Sequence, residues 1–196
     1  MPRKYLLTLL VIATVLFAVV LITVGFFNRG SSKNTSNAPK TAQQIKTEKA
    51  SKLDSARKVS FTSHGRLVSD QERRGIRIEV TAQEVRLDIL RTYSDEVEST
   101  KSFENTKDSF DNLLANLRAI GYDATIDSRI TDKRAACPTN WTYDYGIEYS
   151  DGSKNNTWST TCPKVDGTFG GDEQMAIKIM QAQVPNYYEL TRSVRF

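Results

Sequence analysis

Four features of the sequence have residue types that could do chemistry. Cys137 and Cys162 are the only cysteines, and each is followed by a proline. Two thiols on a domain outside the reducing cytosol pair as a disulfide. Closing a loop of about 26 residues would contribute roughly 3–4 kcal/mol in the chain-entropy model. The alternative is two reduced, buried thiols. Zinc takes four ligands, and His64 is the one histidine available to join the thiols, so neither metal nor cofactor is expected. A Ser-His-Asp or Cys-His hydrolase places its histidine beside a nucleophile, and the sequence has no G-x-S-x-G elbow. The context Ser63-His64-Gly65 predicts an exposed turn at a strand end. Asp144 and Glu148 could form an acid/base pair, but with 21 acids in residues 58–196 the proximity of some pair carries no information. Gly167-Thr168-Phe169-Gly170-Gly171 precedes a predicted helix, where free N–H groups can hold an anion. No Walker lysine and no G-x-G-x-x-G accompany it, so it reads as a turn whose glycines allow positive φ.

Aromatic residues concentrate in the last third of the chain. They could form one core face of a sheet, or a platform for a peptide or glycan. Trp158 follows a polar stretch at residues 151–156, and Tyr188 lies beyond Pro185. Periodicity forces neither inward, so these two are the candidate binding surface.

The elements that would carry these residues follow from periodicity. Residues 59–63 form a short strand. Residues 75–81 alternate Ile76, Ile78 and Val80 against Arg77 and Glu79, and residues 84–93 alternate Val85, Leu87 and Ile89 against Glu84, Arg86 and Asp88. This is the period of half-buried strands, and the spacing predicts a hairpin turning at Ala82-Gln83. Phe110, Leu113, Leu114, Leu117 and Ile120 then mark one face of an amphipathic helix, with Thr106 as its cap and Gly121 as its left-handed terminator. Residues 122–128 are a weak strand. Residues 141–149 are a strong one, with Trp141, Tyr143, Tyr145, Ile147 and Tyr149 on one face, and residues 158–161 pair back to it. A helix over residues 172–183 turns Met175, Ala176, Ile179 and Met180 inward, and Pro185 stops it. The predicted order is β-β-β-α-β-β-α. It is an α+β fold, with a small antiparallel sheet and two helices packed on one face.

The layout of residues 59–188 resembles that of emfourin-type domains, small bacterial proteins associated with metalloprotease inhibition. The resemblance rests on the opening strand Val59-Ser60-Phe61-Thr62, the leucine-rich helix at 110–120, the aromatic strand at 141–149 and the closing helix. It is one of order and spacing. Where the family tends to show paired glycines after the opening strand, this chain has His64-Gly65-Arg66. The resemblance implies an α+β fold and makes protease inhibition a named alternative, and no functional residue carries across.

The N-terminus places the domain. Residues 5–27 form an uncharged run that, as a helix, would span roughly 34 Å against a hydrocarbon core of about 30 Å. A signal-peptide core is typically about 7–15 residues and is followed by an A-x-A site, which is absent here. A pilin would carry its processing glycine before the run and a glutamate inside it, whereas Gly25 lies at the far end. The run therefore reads as a signal-anchor helix behind a basic tail at residues 1–4. Residues 28–57 form a polar, basic stalk, helical in part, that lacks the apolar surface to offset its ordering entropy. The extracytoplasmic domain is expected over residues 58–196. Residues 1–57 carry 9 Lys/Arg against 2 Asp/Glu, and residues 58–196 carry 18 against 21. The basic excess thus flanks the membrane, where it meets lipid headgroups, and a nucleic-acid surface on the domain is not expected. Lys and Arg are nearly balanced across the span. The short tail and the cysteine pair favour an N-terminus inside and the domain outside.

The expected function is that of a single-pass, membrane-anchored, non-enzymatic binding or structural module. The lipid bilayer is one partner, and a protein or cell-envelope component the other. A tethered protease inhibitor and an enzyme acting outside the membrane are the alternatives. The topology reading predicts that the full chain stays in the membrane pellet after an alkaline carbonate wash. It also predicts that protease added outside intact cells releases a fragment beginning within residues 28–51. Release of the intact chain by carbonate would refute the anchor.

Overall fold

Alternating strands build the sheet, and their register decides which residues become core. The computed structural model describes residues 52–130, 133, 139–163, 165–192 and 194. The expected anchor at 5–27, most of the stalk and Cys137 lie outside these residues. Among the described residues no helix is long and apolar enough to cross a membrane. Strands β1 (Ala56–His64), β2 (Arg74–Thr81) and β3 (Glu84–Arg91) form an antiparallel meander in which Phe61 pairs with Ile78 and Ile78 with Leu87. The predicted Ala82-Gln83 turn joins β2 to β3, and Thr81 Oγ1 accepts hydrogen bonds from the Gln83 and Glu84 N–H groups. The domain also starts earlier than residue 58, since Leu53 is fully buried in the core and Ala56 already lies in β1.

The chain then departs from the predicted order. A fourth strand, β4 (Glu96–Glu104), pairs with β3 along the outer edge of the sheet. All but one of its residues are exposed, so it has no hydrophobic alternation to reveal it. Its glutamates and Lys101 suit an edge that must not pair with other chains. The β3–β4 turn holds two non-glycine residues in the left-handed region, Thr92 at φ 59° and Asp95 at φ 56°.

Helix α1 (Lys107–Ala119) follows with the predicted ends. Thr106 Oγ1 accepts a hydrogen bond from Ser109 N–H at 3.2 Å. At the other end Gly121 adopts φ 70°, while the Tyr122 N–H bonds to the Leu117 carbonyl and the Gly121 N–H to the Arg118 carbonyl. That pair of bonds is the Schellman closure, and it satisfies two otherwise orphaned carbonyls. Residues 122–128 form no strand, only a single bridge between Thr125 and Phe169.

Strand β5 (Thr142–Tyr149) returns to pair with β1, and β6 (Lys154–Thr160) pairs with β5. Strand β6 begins four residues before the predicted 158 because Lys154–Thr157 is too polar to read as a strand. Helix α2 (Glu173–Ala182) is capped by Asp172, whose side chain accepts from Met175 N–H. Met175, expected inward, is 42 % exposed, while Ala176 and Met180 are fully buried. A short helix α3 (Tyr187–Thr191) closes the described chain.

The result is one six-stranded antiparallel sheet, ordered β4-β3-β2-β1-β5-β6, with helices. Leu113, Leu117 and Met180 from the helices share one core with Val59, Phe61, Ile78, Leu87, Tyr145 and Ile147. Tyr145 stacks on Phe169 with ring centroids 3.9 Å apart, and Tyr122 meets both rings edge-on. The opposite sheet face is polar. There the fully buried Asp88 accepts from Arg77 Nη2 at 2.7 Å and from Thr100 Oγ1 at 2.8 Å. Lys58 bridges Glu79 and Glu148 on the same face. A buried carboxylate is tolerable only when paired in this way.

The glycines at 167, 170 and 171 do not adopt positive φ. Their role is close approach: a Cβ at Gly167 would overlap the Trp158 carbonyl oxygen. Gly121→Ala should therefore cost about 1 kcal/mol through backbone strain. Gly167→Ala should cost more, because backbone must move. Urea denaturation of the two variants checks the order, and equal losses would refute this distinction.

Candidate functional site

The polar face ends in a cleft built around His64. The imidazole is the last side chain of β1 on that face, where His64 pairs across with Gly75 on β2 and Thr142 on β5. Gly75 makes the room, since a Cβ there would lie 3.1 Å from His64 Nδ1. His64 is 5 % exposed, so the expectation of an exposed turn residue is corrected. The strand ends where predicted, but loops on both sides cover its last side chain.

Two carboxylates face the ring. His64 Nε2 lies 3.3 Å from Asp144 Oδ2, and Nδ1 lies 3.6 Å from Asp95 Oδ1. Asp144 comes from β5, two residues from the partner of His64. Asp95 reaches the ring from the β3–β4 turn, in its left-handed conformation. Asp tolerates that region better than most residues, and strained positions concentrate at working sites. Lys133 Nζ binds both oxygens of Asp144 at 2.6 Å. Burial pushes the Asp144 carboxyl up. The hydrogen bond with His64 and the charge of Lys133 outweigh it and hold the group below its ordinary value.

The loop between β1 and β2 forms the other wall. Arg73, 9 % exposed, donates from Nη1 to the Gly65 carbonyl at 2.9 Å and lies 4.8 Å over the Tyr93 ring. Tyr93 is fixed in turn. Its hydroxyl accepts from Val68 N–H and donates to the Val68 carbonyl, and its own N–H donates to Asp70 Oδ1. The cleft is open to solvent and has a volume of about 370 Å³, lined by Arg73, Tyr93, Asp95, Lys133, Asn140 and Thr142 around His64, with Gly65 and Leu67 beside them. Such a volume lies within the range of small-ligand pockets, roughly 300–1,000 Å³. Among the described residues, two buried nitrogens at this cleft lack a hydrogen-bond partner: His64 Nδ1 and Arg73 Nε.

Of the residues singled out from sequence, His64 and Asp144 meet at the cleft, and the candidate binding aromatics do not line it. Trp158 is 8 % exposed and sits in the middle of β6, paired with Asp144, so its ring does not present the surface expected of it. Tyr188 is 78 % exposed and borders a second, open hollow of about 550 Å³ between α2 and α3. There the neighbouring Tyr187 hydroxyl already accepts from Gln181 Nε2. Trp158 and Tyr188 therefore do not converge on one surface patch. Cys162 is buried and disulfide-bonded, while Cys137, the partner the sequence suggests, lies outside the described residues. Of the possible acid pair, Asp144 belongs to the cleft, whereas Glu148 is paired with Arg57 and Lys58. Arg73, Tyr93, Asp95 and Lys133 carry no sequence motif. Only the register of β1 against β2 and β5, together with the turn geometry, brings them to His64.

Comparison with protein-family models, with curated proteins and with solved structures finds no match. The emfourin-like layout therefore rests on element order alone, and the cleft must be read from its own chemistry.

The depressed Asp144 carboxyl has a definite sign. A group ionised more readily in the folded chain than in the unfolded one adds stability above its unfolded value, and that stability is lost as pH falls toward the folded value. Asp144→Asn should lower stability by about 1–3 kcal/mol at pH 7. The gap to the parent chain should close as pH drops below the ordinary carboxylate range. A gap constant with pH, followed by thermal melts, would show that the charge is not what matters.

Proposed function

We propose that this chain is a single-pass, membrane-anchored, extracytoplasmic binding module that takes its ligand in the His64 cleft. The observation that carries the reading is that His64 and Arg73 line one cleft and each holds a buried nitrogen, Nδ1 and Nε, with no hydrogen-bond partner among the described residues. Leaving a buried polar group unmade costs about 1–3 kcal/mol, so a ligand toward which these side chains turn recovers that energy. A binding role fits the ring better than nucleophilic catalysis does. In a catalytic triad one imidazole nitrogen faces a carboxylate and the other a nucleophile. Here both face carboxylates.

The uncharged run at 5–27 supports the anchor, and the polar stalk supports a domain held away from the bilayer. The disulfide at Cys162, with Cys137 as its expected partner, supports an oxidising compartment outside the cytosol. The tethered-inhibitor reading has one observation in its favour, that β4 is an exposed edge strand to which an extended segment could add, and the charges along that edge oppose it.

Site-specific photo-crosslinking in intact cells separates the two. A photoreactive residue at Leu67, on the rim of the cleft and 49 % exposed, should capture ligand. One at Ser99 on β4 should not, and Ile126, exposed elsewhere, serves as the control. Capture confined to Ser99 would favour the inhibitor. Capture at Leu67 no greater than at Ile126 would sink the cleft as a binding site.

A further inference from the structure

The geometry points to an uncharged sugar unit of an envelope glycan as the ligand of the His64 cleft, an inference that rests on the binding reading above. The first argument is electrostatic. Arg73 and Lys133 bring positive charge to the lining, and Asp95 brings negative charge. Asp144 stands directly behind the ring and holds Lys133. An anion entering the cleft would meet the Asp95 carboxylate, and a cation would meet Arg73 and Lys133. At contact distance in a cleft either mismatch is unfavourable. A neutral group that both donates and accepts avoids both.

The second argument is hydrogen-bond supply. Arg73 Nε–H can only donate, is nine-tenths buried, and has no partner among the described residues. Asp95 can only accept when ionised. The His64 Nδ1 beside it makes no hydrogen bond among the described residues either, though it lies 3.6 Å from the Asp95 carboxylate. A ligand that satisfies this set presents acceptor and donor atoms a few ångströms apart. A sugar ring carrying several hydroxyls does so, because each hydroxyl is at once donor and acceptor.

The third argument is the aromatic wall. Tyr93 is clamped by Val68 through both its donor and its acceptor functions, yet the residue stays 47 % exposed. It is a rigid, half-open ring at the mouth of a polar cleft. Arg73 covers one face of this ring; the apolar C–H face of a sugar ring would cover the other, with its hydroxyls turned to the polar lining. A peptide would bring an extended backbone that a cleft of about 370 Å³ has little room to hold.

Saturation-transfer difference NMR on the full chain in nanodiscs tests this. The neutral probes are maltotriose, mannotriose and the N-acetylglucosamine trimer, and the acidic comparator is the galacturonic acid trimer. At least one neutral probe should bind, and more strongly than the acidic one. Tyr93→Ala should weaken it by about tenfold, Tyr93→Phe should retain it, and Tyr188→Ala should leave it unchanged. Should Tyr93→Ala fail to fold, Thr142→Trp, which fills the cleft from β5, should abolish the signal in a chain whose melting temperature is kept. Stronger binding of the acidic trimer would overturn the inference. So would absence of binding by every neutral probe. If Leu67 crosslinking still captures a partner in that case, the binding cleft survives and the sugar does not. Neutral-sugar binding insensitive to both Tyr93→Ala and Thr142→Trp would overturn the cleft as its location.

Discussion

Strand β1 is hydrogen-bonded along both edges, to β2 on one side and to β5 on the other, and its register against both decides the rest of the molecule. Because side chains alternate across a strand, this register sends Val59 and Phe61 into the core and Thr62 and His64 onto the opposite face. A slip of one residue would exchange those sets, burying His64 against the helices and leaving Phe61 among the ion pairs. The apolar pairs Phe61–Ile78 and Val59–Ile147 resist that slip. The same apolar pairs therefore fix the position of an imidazole that they never touch.

What the sequence revealed follows the strength of each local signal. The β2–β3 hairpin and α1 were legible because hydrophobic period, turn and caps agree, down to Thr106 and Gly121. Strand β4 was not, since Glu96–Glu104 buries no side chain and edge strands need no apolar alternation. Strand β6 was half-hidden for a related reason: Lys154–Thr157 is polar, and pairing with β5 rather than hydrophobicity makes it a strand. Trp158 was misplaced as a result, because a residue taken for a loop boundary lies within a ladder. The cleft was illegible for a different reason. Its members come from β1, β5, the β1–β2 loop, the β3–β4 turn and the neighbourhood of Lys133. They meet through long-range register and through the left-handed Asp95, neither of which leaves a pattern in nearby residues.

The two sheet faces use different means to reach the same end. On the helix side, area removed from water holds the layers together. On the other side, charge is neutralised pair by pair, with Asp88 between Arg77 and Thr100 and with Lys58 between Glu79 and Glu148. That face could not be covered by another apolar layer without stranding these groups, so the domain stays one sheet deep there. The cleft exploits this. At the end of the polar face a loop and a turn flank the sheet, and they create a cleft whose walls are already charged.

The pairing of β1 with β5 also bears on how the chain comes to be folded. Strands β1 to β4 follow one another as neighbours, and each can zip onto the last as it is made. The second edge of β1 must wait for β5, which comes only after α1 and the segment beyond it. Until then an incomplete chain has a four-stranded sheet with an open edge at β1 and an apolar face that α1 alone can cover, the kind of species that associates with its own copies. Distant pairings of this kind slow folding relative to local ones. Docking of the β5–β6 hairpin onto β1 is the step that closes the sheet, and it also delivers Asp144 to His64. A chain halted before it would have neither a complete sheet nor a cleft, so acquisition of the site reports completion of the sheet.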